Sequence, residues 1–349
     1  MSMTYSRLVW TKAVLVCILG VGFPWPLAAQ SPAEFYSGKQ LRVIVGASAG
    51  SGYDNYARTF SRHFSDKIPG KPTPVVQNMQ GAASIRAANY VYNVAPKDGT
   101  VMAIVQRDIP MLPLYGEAQE QLQYETLKFN WIGNLNNETS VCATWHESPT
   151  KTIQDAMARE TILGSAGGAA NNDTDKYPTV LNSLLGTKFK VISGYVGSNI
   201  GLAVERGEVD GRCGWPWSTL KLQRSEWLRD KKLNILIQIS GEPNSELKDV
   251  PFIMDLAKSE RHKQVLRLIF ASLAFGRPFV MPPDVPKDRV AAVRDAFNQT
   301  ARDPRLLDDM TKQGMDVSLV TGETMDKLLA DLMKSPPDIV QQAIEAMKK

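Results

Sequence analysis

The feature that most constrains the fold is a short β-branched run that ends in a glycine-rich turn. Leu41–Val45 reads Leu-Arg-Val-Ile-Val, and Gly46–Gly52 follows with three glycines and two serines. After the turn, Tyr56, Phe60 and Phe64 recur every four residues, which predicts the buried face of a helix. A strand, a glycine-rich turn and a helix in this order indicate βαβ units, in which parallel strands bring their loops to one edge of the sheet.

The same rhythm continues along the chain in two series. The first series adds strand candidates at Pro74–Asn78 and Thr100–Val105 and a helix over Ile85–Val94. The second series has strand candidates at Ser140–Trp145, Thr161–Leu163, Phe189–Ile192, Val209–Gly214 and Leu233–Ile239, with helices over Pro178–Leu185 and Ile200–Arg206. Because glycine-rich turns recur in both series, we predict two successive α/β lobes, each a mostly parallel sheet flanked by helices.

The last part of the chain is too short for a third lobe. Phe270–Met281, interrupted by Gly276 and Pro278, predicts a connecting segment, and helices are expected over Arg289–Ala301 and Gly322–Met333. We expect these helices to complete the first lobe. Residues 30–138 plus 277–349 then form lobe 1 and residues 139–276 form lobe 2, and the two crossings between them form a hinge.

The N-terminus has the three parts of a signal peptide. Arg7 and Lys12 precede the apolar run Ala13–Phe23, and small residues end the segment at Ala29. An apolar run of about a dozen residues is too short to span a bilayer as a helix, although a retained anchor is the alternative. We expect residues 1–29 to be removed on export, leaving a mature protein that contains no other stretch of about 20 apolar residues.

The charge of the chain does not indicate a nucleic-acid partner. Lys and Arg number 40 against 36 Asp and Glu, a formal net charge of +4, and the basic residues are mixed with acids. Removal of Arg7 and Lys12 with the signal peptide leaves the mature chain nearly neutral. An attraction for anions must therefore come from local features such as backbone N–H groups.

No metal or cofactor is expected. His63, His146 and His262 are dispersed and do not have the spacing of metal ligands. The first glycine-rich turn lacks the third glycine of a dinucleotide fingerprint, because Asn55 stands in its place, and no phosphate-binding Gly-Lys-Ser/Thr follows.

The glycine-rich turns are the candidate binding site. In parallel α/β sheets, ligands bind where strands end and helices begin, because N–H groups and the positive end of the helix dipole attract anions there. Candidate ligand contacts are Ser48, Gly50, Ser51, Gly52, Asp54, Ala83, Ser84 and Arg107 on the first lobe, and Ser165, Gly167, Tyr195 and Ser198 on the second. Asp54 either caps its helix or contacts a ligand, and Arg107 either pairs with a carboxylate or lies on the surface. Trp215 and Trp217 either stack on an aromatic acid or pack at the edge of the lobe.

The first turn also contains the sharpest enzymatic alternative. Gly46–Gly50 matches Gly-x-Ser-x-Gly, the nucleophile elbow of α/β-hydrolases, with Ser48 as the nucleophile. His146 or His262 is then the candidate base. The elbow, however, follows the first strand of the mature chain, so no earlier loop supplies the second oxyanion donor. We therefore expect a binding protein and keep a secreted hydrolase as the alternative.

The residues from Tyr36 to Asp54, followed by Tyr56-Ala-Arg58, resemble the opening of the solute-binding proteins of tripartite tricarboxylate transporters, the Bug family. Further similar segments follow in the family's order: Asn78–Ser84, Ala95–Thr100, Gly164–Gly168, Gly194–Ser198, Glu205–Asp210 and Pro282–Pro286. The resemblance covers the mature chain. It implies a hinged, two-lobed periplasmic-binding-protein fold (type II, Venus flytrap) and a periplasmic monomer without a cofactor. It also implies that this monomer delivers a small carboxylate to the subunits of a membrane permease. A sensory module on the same fold is the alternative.

The chain also departs from the family's pattern. The first loop reads Gly46-Ala47 where family members usually have Pro-Phe. The second loop is preceded by Met79-Gln80, where family members usually have smaller residues, and the segment Trp215-Pro-Trp217 is unusual. The resemblance is therefore to a divergent branch, and the ligand of a better-known branch does not carry over.

The two cysteines of the mature chain, Cys142 and Cys213, each lie in a predicted strand of the second lobe. In two-lobed folds of this kind the strand after the first crossing lies beside the third strand of that lobe, which makes the two cysteines neighbours. We expect either a disulfide between them or two buried thiols.

Overall fold

The computed structural model describes residues 1, 30–116, 119–166, 172–195 and 199–348. The expected signal peptide and two expected ligand contacts, Gly167 and Ser198, lie outside these residues. Within them, no helix is long and apolar enough to cross a membrane.

The helices and strands follow each other in three groups. The first group is α1 (Pro32–Tyr36), β1 (Gln40–Val45), α2 (Gly52–Phe64), β2 (Thr73–Asn78), α3 (Ile85–Asn93), β3 (Val101–Ile104), α4 (Leu112–Tyr115) and β4 (Asn130–Asn134). The second is β5 (Ser140–Trp145), α5 (Ile153–Ala158), β6 (Thr161–Ser165), α6 (Asp173–Leu185), β7 (Phe189–Ser193), α7 (Ile200–Glu205), β8 (Gly211–Pro216), α8 (Trp217–Gln223), α9 (Ser225–Arg229), β9 (Leu233–Ile239) and α10 (Glu260–Phe270). The third is β10 (Pro278–Met281), α11 (Lys287–Ala301), α12 (Pro304–Lys312), β11 (Val320–Thr321), α13 (Gly322–Leu332) and α14 (Pro337–Met347).

The strands form two sheets, which make a two-lobed α/β fold. The first sheet has the order β11-β4-β10-β3-β1-β2, and the second has the order β7-β6-β8-β5-β9. Parallel pairs join β1 to β2 and β3, and β6 to β7 and β8. The sheets are nevertheless mixed, because β10 runs antiparallel to β3 and β4, and β5 runs antiparallel to β8 and β9. The chain enters the second sheet through β5 and returns to the first through β10, and both of these strands run against their neighbours.

The segment Phe270–Met281 is thus more than the connection that its glycine and proline predicted. Its last four residues form β10, which lies buried between β3 and β4. Pro278 is tolerated because it is the first residue of the strand, a position that proline can occupy.

The first sheet packs against α2 and α11 on one face. Phe60 of α2 lies 4.8 Å from Phe297 of α11 and 5.2 Å from Phe279 of β10, measured between ring centroids. These rings are fully buried. The stripe of aromatic residues in the helix therefore faces the core as predicted from its spacing.

The second sheet packs against α6, which begins earlier than its sequence suggested. The predicted start, Pro178, lies inside the helix, and the side chain of Asn172 caps the N-terminus by accepting the N–H of Thr174. The Tyr177 ring of α6 packs edge-on against Phe270 of α10, with centroids 5.0 Å apart. The last helix, α14, packs on α6 and α10 and so differs from the rest of 277–349, which we expected in the first lobe.

Cys142 in β5 and Cys213 in β8 lie on neighbouring antiparallel strands. Their Cα atoms are 3.9 Å apart, and in the structure the two residues form a disulfide. Both side chains are fully buried. The disulfide closes a segment with a sequence separation of 71 residues and lies entirely within the second sheet.

Candidate functional site

The glycine-rich turns of the first lobe meet where β1, β2 and β3 end. The buried Ser84 hydroxyl donates a hydrogen bond to the Gly46 carbonyl over 2.7 Å and accepts the Gln106 N–H over 3.1 Å. One side chain therefore ties together the loops that follow all three strands. A side chain on residue 46 would collide with Ser84, which explains the glycine.

The second of these turns has a strained backbone. Ala82, Ala83 and Ser84 all have positive φ angles, of 43°, 48° and 76°. Left-handed conformations cost non-glycine residues about 1–2 kcal/mol each. Strain of this kind is concentrated at functional sites, and Ala82 and Ala83 are exposed at the edge of the sheet.

Asp54 holds the first turn in place. Its carboxylate accepts the N–H of Gly50 over 2.8 Å and bonds from the side chains of Asn78 and Arg58 over 2.9 Å each. Burial alone would raise the pKa of Asp54, but the bonds from Arg58 and Gly50 lower it below its ordinary value. The Ser51 hydroxyl caps α2 by accepting the Asp54 N–H. Asp54 and Ser51, both predicted ligand contacts, thus stabilise the turn itself in this structure.

Ser48 lies in the same turn, where its carbonyl accepts the N–H of Ser51. Among the described residues, no hydrogen bond joins the Ser48 hydroxyl to a histidine. His63 instead pairs with Asp309 at 3.0 Å, and His146 stacks against Trp145. His262, the other candidate base, lies in the first turn of α10, where its backbone N–H donates to the Ser259 hydroxyl over 3.1 Å. None of the hydrogen bonds in the described part of the chain therefore connects a candidate base to the Ser-centred elbow.

Arg107 follows β3 and reaches the second lobe. Its guanidinium forms an ion pair with Asp173 in the first turn of α6. Lys176, one turn further along α6, lies 3.6 Å from both Asp108 and Asp173. Burial alone would raise the pKa of Asp108, but Lys176 and Arg107 lower it. Opposite charges therefore face each other across the cleft and hold the loops of the two sheets together.

The predicted contacts of the second lobe lie near the start of α6. The buried Ser165 hydroxyl donates to Asp175, which also accepts the hydroxyl of Ser193 over 3.1 Å. The Tyr195 N–H donates to the Ser165 carbonyl over 3.1 Å. The Ser165 and Ser193 hydroxyls are thus engaged within the lobe, and the roles of Ser165 and Tyr195 as ligand contacts stay predictions.

Sequence reasoning missed Arg277, the residue before β10. Its guanidinium stacks over the rings of Tyr53 and Tyr56 of α2, at 4.5 Å and 4.9 Å from their centroids. The Tyr53 hydroxyl accepts the backbone N–H of Arg107 over 3.2 Å, so the same tyrosine contacts both arginines. More than two hundred residues separate Arg277 from α2, and only the return of the chain at β10 brings them together.

A second concavity lies beside the hinge, with a volume of about 620 Å³. Glu138, in the first crossing, lines it and accepts the Ser218 hydroxyl at 3.0 Å. Burial raises the pKa of Glu138 despite the nearby Arg277.

Trp217 also lines this pocket, and its indole N–H donates to Glu246 over 2.6 Å. Trp215 is buried against Trp227.

Comparison with protein-family models finds none that matches, and comparison with curated proteins finds no match. Solved structures do match. A TctC solute binding protein from Polaromonas, without ligand, has a TM-score of 0.68 at 17% identity, covering 89% of this chain and 99% of its own. The periplasmic binding protein BugD has a TM-score of 0.61 at 17% identity, covering 89% and 98%. MatC from Rhodopseudomonas palustris with bound malate has a TM-score of 0.59 at 17% identity, covering 86% and 99%.

At these identities the comparisons concern the fold. The expected two-lobed fold is confirmed, since the matched structures are covered almost completely. The chain therefore has the fold of the periplasmic solute-binding proteins to which its first loop has a resemblance.

Proposed function

We propose that the protein is an extracytoplasmic solute-binding receptor that captures a small carboxylate in the cleft between its lobes. We propose further that it delivers this ligand to the membrane permease of a tripartite tricarboxylate-type transporter. The fold similarity to solute-binding proteins, one of them with bound malate, supports this proposal. The resemblance of the first loop to the Bug family supports it independently.

The observation that carries the proposal is the edge of the first sheet. There the N-terminus of α2, the strained turn at Ala82–Ser84 and the side chains of Arg107 and Arg277 converge. Exposed N–H groups, a helix N-terminus and the guanidinium of Arg277 all favour an anion, whereas the guanidinium of Arg107 is already paired with Asp173. These donors suit a small anion, and the similarity in fold to MatC with bound malate supports a carboxylate.

The ligand contacts belong to the same proposal. Ser48, Gly50, Gly52 and Ala83 would offer hydroxyl and backbone donors on the first lobe, and Tyr195, Gly167 and Ser198 would offer them on the second. A ligand bound by both lobes favours the closed arrangement in proportion to its preference for that state.

The test is a thermal-shift panel on the mature protein with monocarboxylic, dicarboxylic, tricarboxylic and aromatic acids. A ligand present at about 100 times its Kd adds about 2.7 kcal/mol to the free energy of unfolding. We expect at least one carboxylate to raise the melting temperature. If none does, the proposed function is contradicted.

The alternatives make different predictions. A secreted hydrolase would cleave esters, and the activity would disappear in Ser48→Ala. If the protein is a receptor, neither the wild type nor Ser48→Ala cleaves esters. A sensory module would bind the same ligand, so uptake of labelled carboxylate by the source cells separates it from a transport receptor. Deletion of the gene abolishes uptake if the protein serves a permease and leaves it unchanged if it serves a sensor.

Export is tested separately by sequencing the N-terminus of the protein from the periplasmic fraction. We expect it to begin at Gln30, after removal of the signal peptide. A chain that begins at Met1 and stays in the membrane fraction would contradict the periplasmic location.

A further inference from the structure

The guanidinium of Arg277 has donors that no residue described by the structure uses. Its Nη1 donates to the carbonyl of Gly276 over 2.6 Å. Its Nε is buried without a hydrogen-bond partner. Its Nη2 makes no hydrogen bond to any residue that the structure describes, and Arg277 forms no ion pair with a described carboxylate. Buried charged donors without partners are unfavourable and are rare in folded proteins.

Arg277 also lies at the positive end of a helix dipole. Its Nη2 is 3.5 Å from the position that a Cβ on Gly52 would take. Gly52 is the first residue of the 13-residue helix α2, and it is exposed. A cation at this positive end of the helix dipole typically costs about 0.3–1 kcal/mol, and an anion there would be stabilised by both the helix and the arginine.

The surroundings fix Arg277 in this position. Its backbone N–H donates to the side chain of Asn134 over 2.6 Å, and the rings of Tyr53 and Tyr56 hold the planar guanidinium by stacking. A side chain immobilised before the ligand arrives loses little rotamer entropy on binding. The site is therefore preorganised for a planar anion, which arginine recognises better than lysine does.

Unlike Arg277, Arg107 has a carboxylate partner, because Asp173 already neutralises its charge. We propose that Arg277 binds the ligand carboxylate that lies at the N-terminus of α2 and makes the site selective for the ionised group. This inference rests on the proposed carboxylate-binding function. It assigns the principal charge contact to the second crossing of the hinge, so the ligand would bind where the two lobes are joined.

The test is isothermal titration of the mature protein with malate, succinate, adipate, citrate and benzoate. The tightest of these is then compared with the amide in which one carboxylate is replaced by a carboxamide. The variants are Arg277→Gln and Arg277→Lys, with Arg302→Gln as the matched control. Arg302 is an exposed arginine of the first lobe, and among the described residues its side chain bonds only to the Asn298 carbonyl.

We expect Arg277→Gln to raise the Kd for the carboxylate by about tenfold or more, because a hydrogen bond to a charged group is lost. The Kd for the amide lacking the carboxylate that Arg277 binds should change much less. Arg277→Lys keeps the charge and should show a smaller loss, and Arg302→Gln should bind as the wild type does. If Arg277→Gln does not fold, Arg277→Lys takes its place in the test, and a smaller rise in the Kd for the carboxylate is expected.

Two results would overturn the role of Arg277 and leave the proposed function standing. One is an unchanged Kd for the carboxylate in Arg277→Gln, or in Arg277→Lys where that variant replaces it. The other is an equal loss for the carboxylate and for its amides, which would indicate a purely structural role. If the wild-type protein binds none of the five acids, the proposed function fails and this inference fails with it.

Discussion

Both lobes place a helix N-terminus at the cleft, but the charges around these two helix ends are balanced differently. In the first lobe, the acid in the first turn of α2, Asp54, is neutralised by Arg58 of the same helix, and Arg277 forms no ion pair with a described carboxylate, although the buried Glu138 lies near it. In the second lobe, the first turn of α6 contains Asp173 and Asp175. Asp173 finds its arginine in the opposite lobe.

A helix N-terminus at a sheet edge is therefore not by itself an anion site. The positive end of α6 is already occupied by its own carboxylates, so it has little attraction left for another anion. The positive end of α2 is reinforced by Arg277. We therefore expect the ligand carboxylate on the first lobe and a mainly supporting role for the second.

The largest expected effect concerns the disulfide, which only the second lobe has among the described residues. For a loop of 71 residues, reduction is expected to lower the free energy of unfolding by about 4 kcal/mol. Denaturant unfolding with and without reductant measures the loss, and hydrogen exchange should locate it in β5 and β8. The double variant Cys142→Ala/Cys213→Ala is the control and should not respond to reductant. Two free thiols in the mass of the unreduced protein would contradict this prediction.

The next effect concerns the charges that join the lobes. Arg107→Gln leaves the partly buried Asp173 without its arginine and should destabilise the protein by about 2 kcal/mol. Asp173→Asn should do the same, and the two losses should not add in the double variant. Denaturant unfolding of the three variants gives the coupling energy. Additive losses would mean that the ion pair does not hold the lobes together.

A smaller effect of opposite sign is expected at Glu138, beside the hinge. Burial raises its folded pKa above the ordinary value of 4.5. The stability that its protonated form contributes is therefore present below pH 4.5 and is lost as the pH rises through the folded pKa. Glu138→Gln keeps an acceptor for Ser218 and should be more stable than the wild type at pH 7. The difference in the free energy of unfolding between Glu138→Gln and the wild type, measured by denaturant unfolding, should decrease toward pH 4.5. A Glu138→Gln variant that is less stable than the wild type at pH 7 would contradict the prediction.

The smallest effect is the pH dependence of Asp108. Lys176 and Arg107 lower its pKa below 3.8, so its contribution to stability is present above pH 3.8 and is lost as the pH falls through the folded value. Asp108→Asn should therefore be less stable than the wild type at pH 7 and equally stable in strong acid. Thermal unfolding across this range tests the sign, and a difference that persists in strong acid would contradict it.

The sequence predicts the fold better than it predicts the site, for a physical reason. Periodicity and turn residues are local, so the strand Ser140–Trp145, the strand Leu233–Ile239 and the buried face of α2 can be predicted from neighbouring residues. The helices α12 and α14 were not predicted, although α14 is as long as the predicted α13 and both bury apolar residues at helical spacing. The site depends on tertiary contacts, which the sequence does not show. Ser84 was predicted to donate to a ligand, but in the structure its hydroxyl connects the loops that follow β1, β2 and β3. Arg277 has no local signal, since only the pairing of β10 with β3 and β4 brings it to α2.

The most direct test of the difference between the lobes is a crystal structure of the mature protein with the carboxylate that raises its melting temperature most. Our account predicts a ligand carboxylate at the N-terminus of α2, within hydrogen-bond distance of the Arg277 Nη2. A carboxylate held only by the second lobe at α6, or only in the pocket beside Trp217 and Glu138, would contradict it.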